Sequence, residues 1–182
     1  SEVEMPPTVA ASKVKDPEYS NWLRVGLALY YLKDGLHSFI QGEVDAMHQS
    51  LLQKLYHSSI VPKPKCPSCQ SKDVKQNRST YEWKFCSPCP SDLCDIWLKE
   101  LMTVHTNPAS NKIYWENCDV TAWPFFPWEC AKLYMPRVQL PANIGPSHSD
   151  AQALLTLMAN CTYFHGKLSP AGLTLTHKVS KI

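Results

Sequence analysis

Five of the eight cysteines crowd between residues 66 and 94. Cys66-Pro-Ser-Cys69 is one C-x2-C turn, Cys86-Ser-Pro-Cys89 is a second, and Cys94 follows. A C-x2-C turn aims two thiolates at one tetrahedral ion with each sulfur about 2.3 Å from the metal. Two such turns at this separation carry the spacing of a zinc site. An even cysteine count also admits a disulfide framework, but the N-terminus lacks the basic start and apolar core of a secretory signal. Five thiols compete for four positions, and Cys66, Cys69 and Cys89 belong to every sensible set. With Cys86 the module is a zinc ribbon; with Cys94 it is a knuckle, a hairpin and a helix. Ser91 suits the N-cap of a helix that begins at Asp92. Cys94 then falls in the first turn, where free N–H groups and the helix dipole favour a thiolate, so Cys94 is preferred. His105 is a weaker substitute. An all-thiolate set leaves no open coordination position, so the zinc is expected to be structural. Cys118, Cys130 and Cys161 sit beside apolar residues and read as small core side chains.

Other chemistry is sparse. The chain has no phosphate-binding loop, nucleophile elbow, H-E-x-x-H pair or dinucleotide fingerprint. His148-Ser149-Asp150 holds the residue types of a triad, but adjacent positions cannot converge as a triad does, and a helix start is the simpler reading. His37, His48 and His57 read as surface or hydrogen-bonded side chains. Charge gives the one further hint. Lys63, Lys65, Lys72, Lys75, Arg78 and Lys84 face only Asp73 and Glu82 across residues 61–84, a local +4 in a chain of net +2. Tyr81, Trp83 and Phe85 interleave with these cations, a combination suited to single-stranded nucleic acid. The alternative is that the lysines solubilise a small module while the aromatics pack behind the knuckle.

The elements that must position these residues follow from pattern and punctuation. The composition, 44% hydrophobic and 19% charged, excludes a mostly disordered chain. No apolar run approaches the ~18 residues of a membrane span. Fifteen prolines imply many element boundaries. Residues 1–15 read as a loose tail. Asp16-Pro17-Glu18 starts a helix, and apolar residues recur at helical spacing from Trp22 to Leu55. Unbroken, that helix would measure roughly 60 Å, against about 40 Å for a globule of this size. The spacing therefore predicts a core stripe on a helix bent or broken near Gly35 or Gly42. Val61-Pro-Lys-Pro-Lys65 reads as a stiff linker, 81–85 as a short strand, and 92–105 as a second helix. Ile113-Tyr114-Trp115 suggests a strand fragment. The aromatics of 123–128 plug the core, and Pro127 opens a short helix that Pro136 stops. Ser147 or Ser149 caps a strong helix over 150–164. Residues 173–182 leave helix and strand both open.

Four blocks carry a family resemblance: Asn21-Trp22-Leu-Arg-Val-Gly-Leu-Ala-Leu, Pro88-Cys89-Pro-x3-Cys94-Asp95, Trp115-x-Asn117-Cys118, and Trp128-Glu-x-Ala-Lys132-x-Tyr-Met135-Pro136. With them the chain resembles, over nearly its whole length, an uncharacterised animal family that includes the human chromosome X open reading frame thirty-eight protein. The last block is the most specific. In that family the thiols matching Cys89 and Cys94 are the more regular pair, which the resemblance takes as a reason to place Cys86 fifth. More distantly, the order of elements resembles HEPN domains, and implies an all-helical frame into which a zinc module is inserted. Many HEPN proteins are ribonucleases with an Arg-x4-His motif. Arg24, Arg78 and Arg137 have Leu29, Trp83 and Ala142 five positions on, so the motif is absent; the resemblance places it just after Ile182.

The reading is thus a mainly α-helical, HEPN-like domain over residues 16–182, with a zinc-binding insertion carrying a short β-hairpin at about 60–118. Its expected function is that of a non-enzymatic, zinc-stabilised interaction module inside the cell, in cytoplasm or nucleus, binding single-stranded RNA or a protein partner and no membrane. The alternatives are part of a HEPN-type ribonuclease lacking its catalytic helix, and a structural homodimerisation domain. Structural Zn²⁺ on Cys66, Cys69, Cys89 and Cys94, with Cys86 as the alternative fourth ligand, is the expected cofactor. Lys63, Lys65, Lys72, Lys75, Arg78, Trp83 and Lys84 are the candidate nucleic-acid contacts.

Overall fold

A computed structural model describes residues 16–57, 65–137 and 144–179. The N-terminal tail, Lys63 with most of its linker, and part of the loop after Arg137 lie outside the described residues.

Helix α1 spans Pro17–Tyr56. Asp16 caps it by accepting the Glu18 N–H at 2.9 Å, Pro17 occupies the first turn, and His57 ends it in a left-handed conformation. The expected break at Gly35 or Gly42 does not occur: the helix is continuous for 40 residues. A helical glycine costs about 1 kcal/mol relative to alanine, but it keeps its N–H and leaves the hydrogen-bond ladder intact. The length conflict is resolved by overhang. From Ile40 onward the stripe is buried through Val44, Met47 and Leu51. Before it, the stripe is uncovered, with Trp22 69% and Val25 59% exposed. Only the C-terminal half of the predicted core stripe is therefore core.

After a 3-10 turn at Ser71–Asp73, strands β1 (Val74–Gln76) and β2 (Trp83–Phe85) pair antiparallel, with Val74 opposite Phe85, Lys75 opposite Lys84 and Gln76 opposite Trp83. Alternation buries Val74 and Phe85 and turns both lysines outward. Helix α2 (Leu93–Thr103) buries Leu93, Trp97, Leu98 and Leu101 on one face. Its N-cap position is Asp92, left-handed at φ 56° and making no side-chain cap. Ser91, expected in that role, instead places its hydroxyl 3.4 Å from Cys89 Sγ.

Trp115–Asn117 forms a 3-10 turn where a strand fragment was expected, because Asn117 Nδ2 donates to the carbonyls of Lys132 and Pro136 and folds the segment inward. Helix α3 (Pro127–Ala131) continues as a 3-10 turn over Lys132–Tyr134 and stops before Pro136. Helix α4 (Ala151–Asn160) is capped by Asp150, whose Oδ1 accepts the Ala153 N–H at 2.7 Å, and not by Ser147 or Ser149. The helix breaks at Cys161, which bridges His105 in extended conformation; Thr106 N–H donates to Asn160 O and Thr162 N–H to Val104 O. Two short elements follow, α5 (Thr162–His165) and α6 (Pro170–Val179), and α6 packs on α4.

The buried side chains form one cluster running from Ile40 to Phe164, with Trp97, Trp123, Tyr134 and Phe164 fully enclosed. Two of its polar groups are tied to main chain: His48 Nε2 donates to Trp123 O at 2.8 Å and Tyr134 OH to Leu101 O at 2.9 Å. Trp97 Nε1 donates to Tyr56 OH at 2.8 Å, locking α2 to α1. The protein is thus mainly helical with one two-stranded sheet. Among the described residues no helix is long and apolar enough to cross a membrane.

Candidate metal centre

Two loops and one helix bring four sulfurs together. Cys66 and Cys69 come from the Pro67-Ser68 turn, Cys89 from the Pro88/Pro90 turn after β2, and Cys94 from the first turn of α2. The Sγ atoms of Cys66, Cys69, Cys89 and Cys94 all lie within 4.8 Å of one another. Cys66 and Cys89 sulfurs are 3.6 Å apart. A tetrahedron with metal–sulfur bonds of ~2.3 Å has sulfurs about 3.8 Å apart, whereas a disulfide needs ~2.05 Å. Cys86 is exposed on the strand side of its turn and stands outside the group. His105 is also elsewhere: its Nδ1 accepts the Asn107 N–H at 2.9 Å and its ring lies against Tyr134.

Donor chemistry is that of a cation site. Burial raises the Cys66 thiol, but hydrogen bonds from the Ser68 and Cys69 backbone and from neighbouring thiols outweigh it and bring it down to about 6. Cys89 is likewise raised by burial yet ends low, through Ser91 and the Cys94 N–H. Cys69 is pushed up to about 12 by burial and by bonding to Cys66 and Cys89. Cys94 is pushed up by burial and by the charges of its three neighbours. Four thiolates this close repel one another, and a divalent cation between them removes that conflict. Three of the four sulfurs are buried and only Cys69 is part-exposed; the grouped donors are all cysteine sulfurs, and the nearby Asp95 carboxylate is taken up by the Cys89 N–H.

The basic hairpin lies beside this centre. Lys72, Lys75, Arg78 and Lys84 are exposed. Lys65 is engaged by Asp119, Nζ to Oδ2 at 3.0 Å. Trp83 is only part-exposed and packs on Trp115, with ring centroids 5.2 Å apart, while Phe85 is buried. The exposed ring of the hairpin is Tyr81, at φ 59°. Strand alternation groups Tyr81 with Trp83 and Phe85, but Tyr81 is left-handed and lies before β2, which begins at Trp83.

The chain belongs to the family described as "Domain of unknown function (DUF4559)", whose model matches residues 13–176. It is similar to the Mus musculus protein "Uncharacterized protein CXorf38 homolog", 32% identical over 154 residues that make up 85% of this chain and 44% of that protein. The chain thus spans less than half the length of that relative. No solved structure matches it.

Proposed function

We propose that this protein is a non-enzymatic interaction module whose hairpin and α2 are held by a structural zinc ion on Cys66, Cys69, Cys89 and Cys94, and that it binds single-stranded RNA. The zinc would supply cohesion only: two loops and a helix end with little apolar surface of their own are cross-linked at one point. What supports the RNA reading is one relationship above the rest. Lys75 and Lys84 stand directly opposite each other across β1 and β2, both exposed, and neither enters an ion pair among the described residues. Like charges paired across strands destabilise a hairpin. A phosphate backbone lying over them removes the repulsion and gains counterion release. Lys72 and Arg78 extend the same surface. Elemental analysis should give one zinc per chain. A labelled adenosine dodecamer should bind with a steep salt dependence that falls when Lys75 and Lys84 are changed to Ala; no binding at low salt overturns the RNA reading.

A second reading, self-association through α1, is favoured by the overhang. Trp22, Val25, Leu29 and Leu32 repeat at three- and four-residue spacing and are uncovered, an arrangement that seats against a like helix. Light scattering over a wide concentration range tests it, with Trp22→Glu as the variant that should hold the protein monomeric.

A further inference from the structure

A cavity of about 490 Å³ opens between the tip of the hairpin and α2. Its walls are Tyr81 and Trp83 from the hairpin, Leu98 and Met102 from α2, and Pro108 and Ala109 from the loop beyond. Gln76 holds it together: Nε2 donates to Tyr81 O at 3.0 Å and to Ala109 O at 2.8 Å, tying the hairpin tip to the loop. Its volume falls within the ~300–1,000 Å³ of small-ligand pockets, room for one base with its sugar.

Tyr81 is the unusual residue of the wall. It is a bulky side chain in left-handed backbone, a conformation costing on the order of 1 kcal/mol or more. Its N–H donates to Asn77 O at 2.8 Å, and the Gln76 amide fixes its carbonyl. The ring is nevertheless 59% exposed, so burial of the ring does not repay the strain. The backbone instead presents a flat aromatic surface at the mouth of an apolar recess.

The charges of the wall sort by what holds them. Glu82 accepts Thr80 Oγ1 and Asp95 accepts the Cys89 N–H, so both carboxylates serve the fold. Lys84 and Lys99 are exposed and enter no ion pair among the described residues. The formal charges of the wall balance, Glu82 and Asp95 against Lys84 and Lys99, but the acids are occupied by Thr80 and the Cys89 N–H while both ammonium groups stay open to solvent, and Lys84 is also a member of the opposed lysine pair.

We propose that this cavity is a base-binding subsite for single-stranded RNA. One base stacks on the Tyr81 ring with Met102 and Leu98 beneath it, its flanking phosphates meet Lys84 and Lys99, and the strand continues over Lys75. The inference rests on the RNA reading and adds where a base enters and which ring receives it. Sequence placed Tyr81 only among the hairpin's interleaved aromatics, and Lys99 was not suggested by it.

Fluorescence anisotropy with a labelled adenosine dodecamer tests it on the metal-loaded protein. Tyr81→Asn removes the ring while keeping a residue that tolerates left-handed backbone. It should weaken binding roughly tenfold, in the range of one lost stacking contact, and leave the salt dependence unchanged. Tyr81→Phe should bind as the parent does. Ala109→Trp, at an exposed position, fills the recess and should weaken binding to a similar extent. If Lys75→Ala and Lys84→Ala weaken binding while Tyr81→Asn and Ala109→Trp leave it unchanged, the subsite is overturned and the electrostatic reading stands. If the oligonucleotide does not bind the parent protein at all, both are overturned.

Discussion

Asp95 Oδ2 accepts the backbone N–H of Cys89 at 2.6 Å. The first turn of α2 thereby grips the knuckle that precedes it, and the grip fixes Cys89 relative to Cys94, one residue before Asp95 in the same turn. Two of the four clustered sulfurs are positioned by this one carboxylate. It also places a negative charge at the start of the helix, where unpaired N–H groups favour it.

Removing that carboxylate loosens the centre without touching a sulfur. Asp95→Ala should destabilise the protein by about 1–2 kcal/mol, the worth of a charge-assisted bond plus an unpaired N–H. Asp95→Asn, which keeps an acceptor, should cost less. Urea unfolding of the two variants measures the difference.

The metal reading separates the five clustered cysteines. Cys66→Ser, Cys69→Ser, Cys89→Ser or Cys94→Ser should each abolish stoichiometric zinc, and chelation of the parent should lower its Tm by roughly 10 °C, as a loss of several kcal/mol does in a chain of this size. Cys86→Ser should keep its zinc and stay within about 0.5 kcal/mol of the parent. Zinc counting by mass spectrometry together with thermal unfolding decides the point.

The opposed lysines make stability and binding move in opposite directions. Lys75→Thr should stabilise the folded protein by a few tenths of a kcal/mol, since it removes a cross-strand repulsion and adds a strand-favouring residue. The same substitution should weaken RNA binding and reduce the salt slope by about one. Paired unfolding and titration experiments test both signs.

Acid should act through His105. Burial lowers its pKa to about 4, and its unprotonated Nδ1 accepts the Asn107 N–H. The unfolded chain, with an ordinary histidine near 6.5, binds the proton first as pH falls. The stability from neutral His105 is therefore full above pH 6.5 and is lost progressively between about 6.5 and 4. His105→Gln keeps an acceptor and does not titrate. It should flatten the pH dependence of urea stability in that window by roughly 3 kcal/mol. His48, also lowered by burial, contributes in the same direction and remains in the variant.

The overhanging half of α1 should tolerate charge. Trp22→Glu should leave the unfolding free energy of the monomer within about 0.5 kcal/mol of the parent, because the ring is exposed. A core position of the same stripe behaves differently: Ile40→Ala, fully buried, should cost 2–5 kcal/mol. Comparing the two maps where the stripe stops being core.

Local rules were legible wherever a residue acts on its own neighbourhood. Asp16-Pro17-Glu18 announced the start of α1, and the C-x2-C spacing announced two knuckles. Pro127 and Pro136 bracketed α3 with its 3-10 continuation, and the alternation of 81–85 marked a strand, which forms over Trp83–Phe85 only. Where the reading missed, a distant partner had intervened. Ser91 looked like a helix cap, but the sulfur of Cys89 has its hydroxyl. The strong helix after Asp150 looked continuous to Phe164, but pairing with the 104–106 segment breaks it at Cys161. Ile113-Tyr114-Trp115 looked extended, but the Asn117 side chain turns it toward the carbonyls of Lys132 and Pro136.

The sequence by itself determined the cysteine spacing, the helix periodicity, the family and the excess of lysine around the hairpin, since each is a property of order along the chain. Which four of the five cysteines meet, which half of the α1 stripe is covered, and that Lys75 lies opposite Lys84 while Tyr81 edges an apolar cavity were decided only in three dimensions. Those outcomes depend on register and on competition between residues for the same space, and spacing along one segment cannot report what another segment brings to it.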